Sequence, residues 1–137
     1  MGGLSMIGYG AKIPPWVIKV LRLLGCLMVL AIAVLSLIPG NIRPHIAGSH
    51  YSSHYVEHFA AYLIAAVLLG LCLRSRKQLI KIAILMTFYA GILEIAQLWI
   101  PGRNSTIADF AASSLGIWCG SLAMFFTSKW ASSTTAA

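Results

Sequence analysis

Charged residues, and acidic ones above all, are scarce in this sequence. Only 9% of its 137 residues are charged, and just three are Asp or Glu. Ordinary soluble domains carry about 25% charged residues. The sequence is also 59% hydrophobic, with a mean hydropathy of +0.85. This composition excludes an ordinary soluble domain and indicates a small membrane protein.

Cysteine is nearly as scarce, and the basic residues are scattered. The three cysteines, Cys26, Cys72 and Cys119, all lie inside apolar runs. They are typical of buried small side chains rather than of a disulfide framework. The net charge of +7 comes from residues near helix ends instead of one basic face. We therefore expect no nucleic-acid partner.

Long apolar runs define the predicted fold class. We expect an all-α, polytopic membrane protein that folds as an antiparallel bundle of four transmembrane helices. The predicted spans are about 17–38, 55–73, 79–100 and 107–127, which together make one membrane domain over 17–127. Residues 1–16 form a cytoplasmic N-terminal segment, and residues 128–137 a disordered cytoplasmic tail.

Lysine and arginine predict the orientation. With the N-terminus in the cytoplasm, eight of the ten basic residues lie on the inner side and only Arg43 and Arg103 on the outer side. This bias follows the positive-inside rule. We expect a multi-pass protein of the bacterial cytoplasmic membrane with both termini cytoplasmic.

The remaining ionisable residues, which were not used to set the orientation, fall together. All three acids and all four histidines lie at the predicted outer end: Glu57, Glu94, Asp109, His45, His50, His54 and His58. An ionisable side chain at membrane depth is costly unless it is paired, so it is a candidate functional residue. The sequence therefore predicts an outward-facing polar site.

Glu94 is the central residue of this prediction. It lies in an apolar run six residues before Pro101, which is about 9 Å along a helix. Gln97 shares its helical face. The turn Pro101-Gly102-Arg103 is typical of a tight connection between antiparallel helices. This turn places Arg103 at the predicted outer end of the bundle. There the arginine can pair with Glu94 or Asp109, or bind an anionic ligand group.

The second and fourth spans supply further polar side chains. His58 and Tyr62 share one helical face, and Asp109 and Ser113 share another. The catalytic candidates are His58, Glu94 and Asp109, and the candidate ligand-binding residues are Arg103, Glu94, Gln97, His58, Tyr62 and Asp109. The same side chains would also occur if they only joined neighbouring helices by hydrogen bonds. That structural alternative stays open.

Two weaker patterns concern a metal site and helix packing. His50, His54 and His58 repeat every four residues, which is the weak signature of a metal site; we expect no metal and no cofactor. Gly116 and Gly120 form a GxxxG motif, which is typical of close helix packing and offers a surface for a homo-oligomer.

The ordered set of motifs resembles the VanZ-like family of small bacterial membrane proteins. It comprises Ser36-Leu-Ile-Pro39, His58-Phe-Ala-Ala-Tyr62, Glu94-Ile-Ala-Gln97, Pro101-Gly102-Arg103, Asp109 and Gly116. Many members carry Asp-Lys where this chain has His54-Tyr55, and Asn where it has Ser113. The family's namesake is associated with low-level teicoplanin resistance, so the resemblance implies a role in the cell envelope.

Three functions are compatible with these features. The leading interpretation is a binding protein for an amphiphilic envelope molecule, such as a lipid-linked wall precursor or a glycopeptide, with the lipid bilayer as its surroundings. The second is a membrane enzyme acting on a lipid-linked substrate, with His58 as base and Glu94 or Asp109 as acid. The third is a small oligomeric transporter with Glu94 as the coupling site.

Overall fold

The described part of the chain is entirely helical. A computed structural model describes residues 14–39, 52–73, 75–103 and 105–134, and these contain four α-helices and no strand. The helices are α1 (Pro15–Leu37), α2 (Ser52–Leu71), α3 (Arg76–Gln97) and α4 (Ile107–Thr134). All four are long and apolar enough to cross a membrane. The predicted all-α class and four-helix bundle are confirmed.

The helix bounds differ from the predicted spans in a systematic way. The first three helices begin and end one to three residues earlier than the apolar runs suggested. At α3 the reason is a cap, because the Ser75 side chain accepts a hydrogen bond of 3.3 Å from the Gln78 backbone N–H. Such a cap satisfies an orphan donor and allows the helix to begin in polar sequence.

Helix α4 extends past residue 127, the predicted end of the fourth span. Helix α4 continues to Thr134, and residues 135–137 lie outside the described part. No glycine or proline follows position 127. Nothing in the local sequence therefore ends the helix where its apolar run ends.

Helices α2 and α4 form the closest pair in the bundle. A Cβ atom on Gly116 would overlap the Phe59 carbonyl oxygen, and one on Gly120 would lie 2.8 Å from the Leu63 carbonyl oxygen. The GxxxG motif is therefore used for close packing, as predicted, but within one chain. This face of α4 packs against α2 of the same chain, and a homo-oligomer through these glycines stays a prediction.

Helix α1 lies at the edge of the bundle, against α2 and α3. The Tyr89 hydroxyl donates a hydrogen bond of 2.7 Å to the Val29 carbonyl and so joins α3 to α1. Large apolar side chains on all four helices remain exposed, including Leu30, Phe88 and Leu122. Such an extensive exposed apolar surface is suited to contact with lipid.

Candidate functional site

A cluster of buried polar residues lies at one end of the bundle. This polar end comprises the C-terminal ends of α1 and α3 and the N-terminal ends of α2 and α4. Five polar side chains from α2, α3 and α4 are at most 8% exposed there: His58, Glu94, Gln97, Asp109 and Ser113. Ser36, near the end of α1, is 8% exposed as well. The bundle therefore brings the sequence-predicted residues together.

Two histidines of α2 face two polar residues of α4. The Nδ1–H of His54 donates to Asp109 Oδ1 over 3.0 Å, and His58 Nδ1 lies 3.2 Å from Ser113 Oγ. Both pairs follow the four-residue helical repeat, so one face of α2 matches one face of α4. The two imidazole rings are 4.9 Å apart.

Asp109 is positioned by the start of its own helix. Its backbone N–H donates to Thr106 Oγ1 over 3.2 Å, while the Thr106 hydroxyl donates to Asp109 Oδ2 over 2.8 Å. The threonine thus caps α4, and the positive end of the helix dipole favours the acid in the first turn. One carboxylate oxygen is held by Thr106, and the other faces His54.

Glu94 takes its partners from α2 and from the loop before α4. The Ser105 hydroxyl donates to Glu94 Oε2 over 2.6 Å, and Glu94 Oε1 lies 3.9 Å from His58 Nδ1. The sequence alone did not identify Ser105 as a partner of Glu94. Its position two residues after Arg103 in the tight loop was the only available signal.

Arg103 is not the direct partner of Glu94 that the sequence suggested. Its Nε donates to the Ile38 carbonyl over 3.1 Å, and its Nη2 donates to the Leu35 carbonyl. These carbonyls belong to the last turn of α1 and its cap, where backbone acceptors lack helical partners and a cation is favoured. Arg103 therefore fastens the α3–α4 loop to α1. Gly102, with φ of 73°, makes the preceding turn.

Gln97 and Tyr62 extend the cluster in opposite directions, Gln97 toward the end of α3 and Tyr62 toward the core. Gln97 is 3% exposed, and its Nε2 has no hydrogen-bond partner among the described residues. Buried amide donors are normally hydrogen-bonded, so this one is unusual. Tyr62 is equally buried and belongs to the hydrophobic core cluster one turn from His58.

The same end contains a set of side chains that could hold a metal ion. His54, His58 and Asp109 each offer one ligand atom, and these atoms lie within 4.8 Å of one another. Of the three histidines in the predicted repeat, His50 lies outside the described residues. The structure adds a carboxylate from α4 that spacing along α2 could not reveal.

The opposite end of the bundle has a different chemistry. There a cavity of about 510 Å³ is lined by Arg22, Leu69, Cys72, Leu73, Gln78 and Ile82. Arg76 lies over the Phe125 ring at 4.8 Å. The acidic side chains and histidines among the described residues lie instead at the polar end of the bundle.

Four apolar helices with a buried polar cluster at one end define a multi-pass integral membrane protein. The model of the VanZ/LLP1 family matches residues 17–128, and the chain belongs to that family. The resemblance inferred from the motifs is thereby confirmed. Neither the curated proteins nor the solved structures contain a significant match to the chain.

Proposed function

We propose that this VanZ-family protein binds an amphiphilic molecule of the bacterial cell envelope at its polar end. The ligand would be a lipid-linked wall precursor or a glycopeptide-like compound. Its polar head would lie among His58, Glu94, Gln97 and Asp109, and its apolar part between the helices and the surrounding lipid. Family membership supports a link to glycopeptide susceptibility.

The unpartnered Gln97 amide is the observation that carries this proposal. A buried N–H group without an acceptor costs about 1–3 kcal/mol. A ligand that supplies an acceptor would recover that cost. The polar side chains around it, which are acidic, imidazole and hydroxyl groups, could orient a headgroup that is rich in oxygen atoms.

The distribution of basic residues supports an outward-facing site in the cytoplasmic membrane. By sequence position, eight of the ten lysines and arginines fall in or beyond the halves of the helices opposite the polar cluster. The positive-inside rule then places the polar end outside. An envelope ligand on the outer side of the membrane would then reach the polar end directly.

Binding is tested by comparing envelope molecules retained by the wild type and by Glu94→Gln. Each protein is purified in native-lipid nanodiscs, and its co-purifying lipids and precursors are identified by mass spectrometry. We expect one lipid-linked class to be enriched on the wild type and depleted on Glu94→Gln. Lys77→Gln, which removes an exposed charge at the basic end, is the control and should retain it.

Susceptibility to teicoplanin is the second measurement in this test. Deletion of the gene should change susceptibility to teicoplanin, and Lys77→Gln should restore the wild-type value where Glu94→Gln does not. Identical lipid profiles for all three proteins, together with unchanged susceptibility, would refute a binding role for the polar end.

The His54–Asp109 pair favours a second candidate function, that of an enzyme acting on a lipid-linked substrate. A carboxylate that accepts from one ring nitrogen orients an imidazole for proton transfer. In this alternative Asp109 orients His54 as the base, and Glu94 beside His58 is the acid. The discriminating measurement is product formation from a lipid-linked diphosphate in proteoliposomes. A binding protein yields no product, whereas an enzyme loses product formation in His54→Ala.

A further inference from the structure

The geometry of His54, His58 and Asp109 points to a function beyond the headgroup contacts proposed above. We propose that these three side chains bind a divalent transition-metal ion of the Zn²⁺ class at the polar end. The metal site depends on the geometry alone. Coordination of a phosphate by the bound metal, in contrast, rests on the proposed function.

The ligand set is of the type that zinc prefers. Two imidazoles and one carboxylate form the usual three-residue set of open zinc sites, with a fourth position left for water or substrate. His54 and His58 are one helical turn apart on α2, and Asp109 comes from the facing helix α4. The three ligands thus come from two rigid elements in close contact, which limits how far they can separate.

The distances require only a small adjustment. Zn–N and Zn–O bonds of about 2.0–2.2 Å place tetrahedral ligand atoms roughly 3.4 Å apart. The ligand atoms here lie within 4.8 Å of one another, and His54 Nδ1 is 3.0 Å from Asp109 Oδ1. Rotation of side chains by about 1 Å would close the set around an ion. The metal would replace the proton that His54 and Asp109 share.

Outer partners are already in place for two of the three ligands. Thr106 donates to Asp109 Oδ2, which leaves Oδ1 directed at the imidazoles. Ser113 and Glu94 lie 3.2 Å and 3.9 Å from His58 Nδ1. Hydrogen-bonded carboxylates and hydroxyls of this kind orient metal ligands and tune their basicity. Glu94 would also balance the charge of the cation inside the bundle.

A metal would explain how an acidic site could take an anionic headgroup. Asp109 and Glu94 alone would repel a phosphate, and two donors of Arg103 are used by α1 carbonyls. A divalent ion would offset both carboxylates, and its open coordination position would present a positive centre to an anionic oxygen. If the ligand is a lipid-linked phosphate, one of its oxygens would occupy the open position, and the Gln97 amide could donate to another.

The test uses the full chain with an affinity tag that contains no histidine. The protein in detergent is titrated with Co²⁺, which reports tetrahedral coordination by its visible absorption, and then with Zn²⁺. We expect one Co²⁺ per chain, with the absorption lost when Zn²⁺ displaces it. Outer partners are worth about 10–100-fold in metal affinity, so loss of a ligand in His54→Ala should cost at least ~100-fold.

Two variants separate loss of a ligand from loss of the fold. The His54 side chain is 37% exposed, so His54→Ala should fold normally, and Asp109→Asn keeps the shape of its side chain. Cys119→Ser, on an exposed cysteine, is the matched control for adventitious thiol binding and should leave Co²⁺ affinity unchanged. Equal Co²⁺ affinity in wild type and His54→Ala, or the absence of tetrahedral absorption, would overturn the metal site.

Added inorganic phosphate and a short-chain alkyl phosphate test the open position. A shift of the Co²⁺ absorption by either compound supports phosphate coordination, and a shift by the alkyl phosphate alone points to a lipid headgroup. If Co²⁺ binds and neither compound shifts its absorption, the metal site stands and the phosphate ligand is wrong. The nanodisc comparison decides the proposed binding function independently of both results.

Discussion

Replacement of Gly116 by alanine is the most direct test of the α2–α4 contact on which the polar site depends. The added Cβ would overlap the carbonyl oxygen of Phe59 and would lie 3.1 Å from the Leu63 nitrogen. Both are backbone atoms and cannot rotate away. The two helices must therefore move apart by about 1 Å, because no side-chain rotation can relieve this overpacking.

The size of the effect follows from two opposing contributions. Overpacking costs about 1–3 kcal/mol, and the upper end applies because the obstacle is backbone. Replacing glycine by alanine inside a helix recovers about 0.5–1 kcal/mol. We expect Gly116→Ala to lower the free energy of unfolding by about 2 kcal/mol. The same shift would lengthen the 3.0 Å His54–Asp109 hydrogen bond.

Gly91→Ala is the matched control, because Gly91 also lies inside a helix at the level of the polar cluster. Its added Cβ would lie 3.4 Å from Phe110 Cε2, an ordinary contact with a side chain. This variant should be unchanged or stabilised by up to about 1 kcal/mol. Unfolding in mixed micelles with increasing dodecyl sulfate, followed by circular dichroism, measures both. Equal stability of the two variants would refute close packing of α4 on α2.

Four further outcomes are expected. Alkaline phosphatase fused after Asn104 should be active and after Ala137 inactive, because positive residues stay inside; the reverse pattern would contradict an outward-facing site. Arg103→Gln should lower stability by roughly 1.5–3 kcal/mol, since charged hydrogen bonds to the last turn of α1 are lost, as measured by the same unfolding assay. Glu94→Gln can still accept from Ser105, so folded yield should persist while envelope binding and teicoplanin susceptibility change. Because Glu94 and Arg103 have different direct partners, the stability effects of the two changes should add within about 0.5 kcal/mol.

The sequence by itself determined the membrane class, the number of spans and the end of the bundle at which the chemistry lies. Apolar runs of about 20 residues have few alternatives to transmembrane helices. The order of the spans then assigns every ionisable residue to one end or the other. Glu94, Asp109 and His58 are thereby assigned to the same end without any tertiary information. The structure brings their side chains together.

Only the tertiary structure decided which atoms meet. It joined Glu94 to Ser105, directed Arg103 to the end of α1 and turned the GxxxG face of α4 toward α2. Helices that are apolar on nearly every side carry little information about which face is buried, since the bundle core and the lipid favour the same side chains. Their rotation about their own axes is set by close packing and interhelical hydrogen bonds, which depend on all four helices at once.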